Sequence, residues 1–178
     1  LTINKAALTV TAANDSKTYD GLAYSGGNGV TYSGFVNSQT SSVLGGTLAY
    51  GGTSQSAVNA GTYTIVPSGL TSSNYDITYV NGSLTVGKAS ATVTGNSSTL
   101  TYDGTGKSVS GFTVTGLVNG ETSSVLTGVS ASGASGTNAG SYANTVSGTD
   151  SNYNLTLVDG ALTINKAALT VTAANDSK

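Results

Sequence analysis

Residues Ser73–Val86 read SNYDITYVNGSLTV, and residues Ser151–Ile164 read SNYNLTLVDGALTI. Each copy sets two alternating apolar runs on either side of a dipeptide, Asn81-Gly82 or Asp159-Gly160. Asn-Gly and Asp-Gly favour a type I′ turn, because both residues tolerate positive φ. The spacing predicts a β-hairpin. Val80 would then oppose Ser83, Tyr79 Leu84, Thr78 Thr85, and Ile77 Val86. In the second copy Leu157 would oppose Leu162, Leu155 Ile164, and Thr156 Thr163. Apolar pairs share one face in this register, and the Thr–Thr pairs fall on the other.

The duplication extends outward from this stretch. LTINKAALTVTAANDSK occurs at Leu1–Lys17 and again, letter for letter, at Leu162–Lys178. A related phrase, LTVGKASATVT, begins at Leu84, so the copies start at residues 1, 84 and 162, a period near 80 residues. Thr18–Gly21 (TYDG) returns at Thr101–Gly104, GFVNSQTSSVL at Gly34 as GLVNGETSSVL at Gly116, and NAGTY at Asn59 as NAGSY at Asn138. The expected division is residues 1–4 as the last strand of a preceding repeat, 5–87 as a first full repeat, 88–165 as a second, and 166–178 as the start of a truncated third. This period exceeds the 20–50 residues of solenoid repeats. Each unit is large enough for a small fold of its own, near the lower limit for a lone core.

Composition narrows the class. Of 178 residues only 8% are charged, against about 25% in an average soluble domain. Cys, Met, Trp and His are absent, Gly numbers 25 and Pro 1, and the net charge is −2. Gly/Ser-rich text often stays unfolded. Low net charge and tidy apolar alternation oppose that here. A disulfide scaffold is excluded. No apolar run reaches the ~18–20 residues of a membrane-spanning helix. No signal peptide is evident, so an excised fragment or a mature interior segment is expected. A pI near 4.6 without basic clusters opposes nucleic acid as a partner.

β-branched Thr and Val favour strands over helices. In Ala7–Ala12, Leu8 and Val10 point inward and Thr9 and Thr11 outward, as in a half-buried strand. TYTIVPSG is another strand, ended or edged by Pro67, which has no N–H for a central ladder. Val118–Leu126 is the one stretch that could make a helical turn. The inward parity flips between Leu84/Val86 and Ala91/Val93, whereas a single straight strand would keep it. The chain is therefore expected to leave one core and enter the next within a few residues, with no flexible linker. Two small all-β modules end to end, forming a stiff elongated rod, are the expectation. The tail from Lys166 lacks strand partners and is expected to be disordered or to lend its strand to a neighbouring chain.

Chemistry is sparse. Without His or Cys, the common nucleophile–base pairings are missing. Ser16-Lys17 and Lys107-Ser108 are Ser–Lys neighbours that arise by chance in a Ser-rich chain. The acids Asp15, Asp20, Asp76, Asp103, Glu121, Asp150, Asp159 and Asp176 sit among turn signals, which suits Asx turns better than acid/base work. Asp20-Gly21, Asn81-Gly82, Asp103-Gly104 and Asp159-Gly160 are assigned as structural turns. No EF-hand spacing or Gly/Asp nonapeptide is present, so Ca²⁺ is disfavoured and no cofactor is expected. YSGGNG and YGGTS lack the phosphate-loop pattern. Tyr19 and Tyr102 of TYDG read as rings packed at a core edge with the hydroxyl tying a turn.

SKTYDG, GLVNGETSSVL, SSNYDITYVNGSLTV and the KAxLTVTA start resemble the YDG/MBG-type tandem repeats of very large bacterial surface adhesins, including those of the filamentous haemagglutinin type. The resemblance covers essentially the whole chain, twice. It implies an extracellular, β-rich stalk module, some relatives being β-grasp-like and others small sandwiches. It further implies a spacer that projects an adhesive tip for attachment or biofilm formation. Expected partners are neighbouring repeats, with a host glycan or matrix protein reached through other parts of the adhesin. A low-affinity carbohydrate- or protein-binding module acting by multivalency is the alternative. An enzyme is not expected.

Overall fold

The computed structural model describes residues Leu1–Asp176, and they fold as two compact units. The first comprises Leu1–Ala89 together with Ser151–Tyr153, and the second Ser90–Asp150 with Asn154 onward. Alternating Thr and Val text becomes strand nearly throughout. The helical elements among the described residues are two single 3-10 turns, Ser41–Val43 and Ser123–Val125. The second lies within Val118–Leu126, the stretch read as either a helical turn or a polar loop. No α-helix covers a sheet among the described residues, and the fold class is all-β.

The first unit contains β1 (Ala6–Ala12), β2 (Asp15–Thr18), β3 (Val30–Ser33), β4 (Gly45–Gly51), β5 (Gly61–Thr71), β6 (Tyr75–Val80) and β7 (Gly82–Gly87). One sheet has the order β3-β1-β6 and the other β2-β7-β5-β4. β1 runs antiparallel to β3 and parallel to β6. β2 runs parallel to β7, and β7 antiparallel to β5.

This topology overturns the predicted hairpin. β6 and β7 lie in different sheets and do not pair with each other. Neither Asn81 nor Gly82 has the positive φ that a type I′ turn requires. Instead two chain segments step together from one sheet to the other. Ala6 pairs with Tyr75 and Asp15 with Leu84, so the offset between partners is the same on both sides of the step. The break at Ala13-Asn14 matches the break at Asn81. Hydrophobic alternation had fixed the inward faces, but it names no partner: Leu84 and Val86 are buried on β7 in the parallel arrangement too.

Gly82 owes its place to crowding. A Cβ there would lie 2.7 Å from the Ala13 carbonyl oxygen and 2.8 Å from that of Ala12. The following N–H, of Ser83, donates to Asn14 Oδ1 at 2.8 Å, so the step leaves that donor satisfied.

Of the two expectations for Pro67, that it ends its strand is overturned. It is fully buried inside β5, which continues to Thr71. The ladder to β7 ends at Ile65, and beyond it β5 pairs with β4. The proline falls past the β7 ladder, where a missing N–H removes no bond to that strand.

Leu8, Val10 and Tyr75 form a buried cluster, flanked by Val30, Tyr32, Phe35, Leu70 and Tyr79. Tyr79 Oη accepts from Leu70 N at 2.8 Å and donates to Leu70 O at 3.1 Å. Tyr75 Oη accepts from Val36 N and donates to Gln39 Oε1. These rings are core posts whose hydroxyls hold backbone and loop.

The second unit contains β8 (Ala89–Gly95), β9 (Ser98–Thr101), β10 (Lys107–Val109), β11 (Phe112–Thr115), β12 (Val129–Ala131), β13 (Ala134–Gly136), β14 (Gly140–Asn144), β15 (Val146–Gly148), β16 (Tyr153–Val158) and β17 (Gly160–Asn165), the first residues of β8 and β16 being counted with the first unit. Its three-stranded sheets are β11-β8-β16 and β14-β17-β9, and β10-β13 and β12-β15 form separate two-stranded sheets. β16 and β17 again lie in different sheets, so the Asp159-Gly160 hairpin is corrected for the same reason. A Cβ at Gly160 would lie 2.3 Å from Asn96 O and 2.4 Å from Gly95 O. Ala161 N donates to Ser97 Oγ at 3.0 Å, the counterpart of Ser83 and Asn14. Lys166–Asp176 forms no strand, with Leu169 and Val171 exposed; Ser177 and Lys178, also part of the expected third repeat, lie outside the described residues.

Candidate functional site

At two of the assigned dipeptides, Asp20-Gly21 and Asp103-Gly104, the chain bends at the glycine. Gly21 and Gly104 have φ of 73° and 79°, a region that favours glycine. Asp20 Oδ1 accepts from Leu22 N, and Asp103 Oδ1 from Thr105 N, each at 2.9 Å. Each carboxylate also holds a lysine. Lys17 reaches Asp20 at 2.7 Å from the N-terminal side, and Lys107 reaches Asp103 from the C-terminal side. These donors hold both carboxyls below their ordinary range. The lysine hydrogen bond is the largest cause in each, followed by the Leu22 N–H for Asp20 and by Thr105 for Asp103.

The same geometry bears on the Ser–Lys neighbours. A lysine acting as general base must be held neutral. Lys17 instead donates to Asp20 and to Leu22 O, and Lys107 to Asp103 and Thr105 Oγ1. Lys17 in β2 and Lys107 in β10 thus each spend their donors on the neighbouring bend rather than on the adjacent serine. Among the described residues, no three His, Cys, Asp or Glu side chains converge as a metal-binding group.

A polar hollow is lined by Asn14, Asp15, Ser16, Asn28, Ser83 and Thr85. Asn28 Nδ2 donates to Asn14 O at 2.9 Å, so its polar groups serve the sheet-to-sheet step. Asp15 faces Tyr24, whose Oη donates to Asp15 Oδ2 at 2.8 Å. Desolvation first, and the bond to Asp15 second, push the Tyr24 phenol up to about 12.

Asn144 was missed by sequence reading. It is fully buried. Its Nδ2 donates to Asn96 O and Gly111 O, each at 3.0 Å, and its Oδ1 accepts from Gly133 N at 2.9 Å. One amide thus ties three backbone segments of the second unit. The available signal was the alignment of TYTIVP with SYANTV, which sets Asn144 opposite Ile65 in a buried phase.

The tripeptide Ser151–Tyr153 is held within the first unit. Ala89 N donates to Asn152 O, and Ala60 N to Asn152 Oδ1, each at 2.9 Å. Asn152 Nδ2 donates to Asn59 Oδ1 at 3.1 Å. Tyr153 meets Tyr19 edge to face, with ring centroids 5.4 Å apart. Tyr19 is accordingly buried, whereas its counterpart Tyr102 is 41% exposed. Only the first of the two TYDG tyrosines packs as expected.

No helix among the described residues is long and apolar enough to cross a membrane. No match emerged among curated proteins or among solved structures. A protein family described as MBG domain (YGX type) matches residues 8–85 and again 91–163. With most of its length covered by these two successive matches, the chain belongs to the YGX-type MBG domain family, as two tandem copies.

Proposed function

We propose that this chain is a spacer segment of a secreted or cell-surface bacterial adhesin, holding an adhesive tip away from the cell for attachment or biofilm formation. The single observation that supports this is the tandem match, which leaves only residues 86–90 between two copies of one module. MBG domains are repeats of large surface proteins. A spacer needs copies joined with little slack and a surface indifferent to its surroundings. With 8% charged residues, its stability depends little on ionic strength, because few surface charges are available to screen. The module works without catalysis, cofactor or Ca²⁺, and its direct partners are neighbouring repeats.

Small-angle scattering on arrays of two, four and six repeats tests the spacer. Maximum dimension is expected to rise linearly with repeat number; growth with the square root of that number, as for flexibly joined beads, would overturn it. EDTA is expected to leave the melting temperature unchanged.

A further inference from the structure

The four residues that hold Ser151–Tyr153 in the first unit recur one period later. Tyr19 returns as Tyr102 in TYDG, Asn59 and Ala60 as Asn138 and Ala139 in NAG, and Ala89 as Ala167 after a lysine. The second set frames a mostly apolar hollow lined by Tyr102, Ala139, Lys166, Ala167, Ala168 and Leu169. Asn138 and Ala139 are exposed, and Tyr102 is 41% exposed against 6% for Tyr19. We propose that this hollow is a docking surface for the Ser-Asn-Tyr tripeptide of a following MBG repeat in the same chain.

The occupant is chosen by the chemistry of the filled site. An asparagine accepts from Ala60 N and Ala89 N while donating to Asn59 Oδ1, and a tyrosine supplies the ring that covers Tyr19. Ala139, Ala167, Asn138 and Tyr102 offer the same two N–H groups, the same amide and the same ring. Both full repeats carry the tripeptide, at Ser73–Tyr75 and Ser151–Tyr153. At Ser73-Asn74 it is exposed, whereas Asn152, seated in the first unit, is half-buried. An edge-to-face tyrosine pair contributes about 0.5–1.5 kcal/mol beyond its buried area. The proposal deepens the spacer reading and rests on it, yet each can fail alone, because scattering reads array length and the experiment below reads one side chain.

Since Leu162–Lys178 repeats Leu1–Lys17, adding residues Thr18–Gly87 after Lys178 completes a third repeat without a seam. Tyr102 remains unique in the extended chain. Nitration by tetranitromethane, read by peptide mass spectrometry, reports its exposure. In the 178-residue chain Tyr102 is expected to be nitrated well ahead of Tyr19. In the extended chain, with the added repeat shown to be folded by hydrogen exchange, Tyr102 is expected to lose that reactivity. Asn74→Ala in the added copy, an exposed position, is expected to restore part of it. Undiminished nitration of Tyr102 in the folded extended chain would overturn the proposal. So would full protection surviving Asn74→Ala. Protection that appears in the 178-residue chain and grows with its concentration would assign the surface to a second copy instead, and would overturn it equally.

Discussion

Ile65 and Asn144 occupy the same place in the two repeats, and both are fully buried. Ile65 pairs with Gly82 across the β5–β7 ladder, and Asn144 with Gly160 across β14–β17. The first unit fills the position with hydrocarbon beside one long strand, β5, of 11 residues. The second fills it with an amide that bonds Asn96, Gly111 and Gly133, where the same stretch is broken into β14 and β15. One fold therefore tolerates two solutions. A continuous ladder satisfies its own backbone, so its core can be apolar. At the break itself Thr145 and Val146 are met by Ser132 and Asp159, while the Asn144 amide ties backbone of three other stretches.

The comparison breaks most severely with Ile65→Asn. That change removes an apolar side chain and buries an amide with no partners built for it, a loss of about 4 kcal/mol. Residue-resolved hydrogen exchange on the full chain is expected to place the loss in the first unit. Gly160→Ala ranks next, at about 3 kcal/mol, because its Cβ would stand 2.3 Å from a backbone oxygen. Gly82→Ala, with its nearest contact at 2.7 Å, is expected to lower the melting temperature less. An Ala at 160 without effect would remove the steric account of the step. Asn144→Leu keeps the volume close but strands the Asn96 carbonyl and the Gly133 N–H, Gly111 O retaining the Asn96 N–H, and costs about 2 kcal/mol in denaturant unfolding.

The smallest effect concerns Tyr24, which has Lys107 as its counterpart in the second repeat. A phenol held up to about 12 stabilises the fold fully below its ordinary value of 10.0, and that contribution is lost as pH rises from there through 12. Absorbance titration is expected to show Tyr24 ionising late, shifted toward the ordinary value by Asp15→Asn. At the acid end, Asp20 and Asp103 are held low, so their contribution is present above the usual carboxylate range and is lost as pH falls below it. Carboxyl NMR titration is expected to place both below the ordinary carboxylate range.

Some of this was open to reading in one dimension. Thr and Val in alternation gave Leu8, Val10, Leu84 and Val86 their buried faces, because side-chain direction in a strand depends only on parity. The Asp-Gly in TYDG carried its turn because an Asx bond closes within three residues. The Asn81-Gly82 step was misread because a turn and a crowded crossing ask for the same residue. Glycine accepts positive φ, and it also lets two backbones approach. Asn144 was hidden because its partners lie 11, 33 and 48 residues away.

By itself the sequence determined the period, the all-β class and the inward face of the strands named above, since each follows from the local order of residues. Only the tertiary structure decided the partners. β6 and β7 found β1 and β2 in parallel rather than each other, because a strand's alternation is equally satisfied by any neighbour that buries it. The choice among neighbours rests on closing long loops and fitting backbones at Gly82 and Gly160, which adjacent letters do not encode.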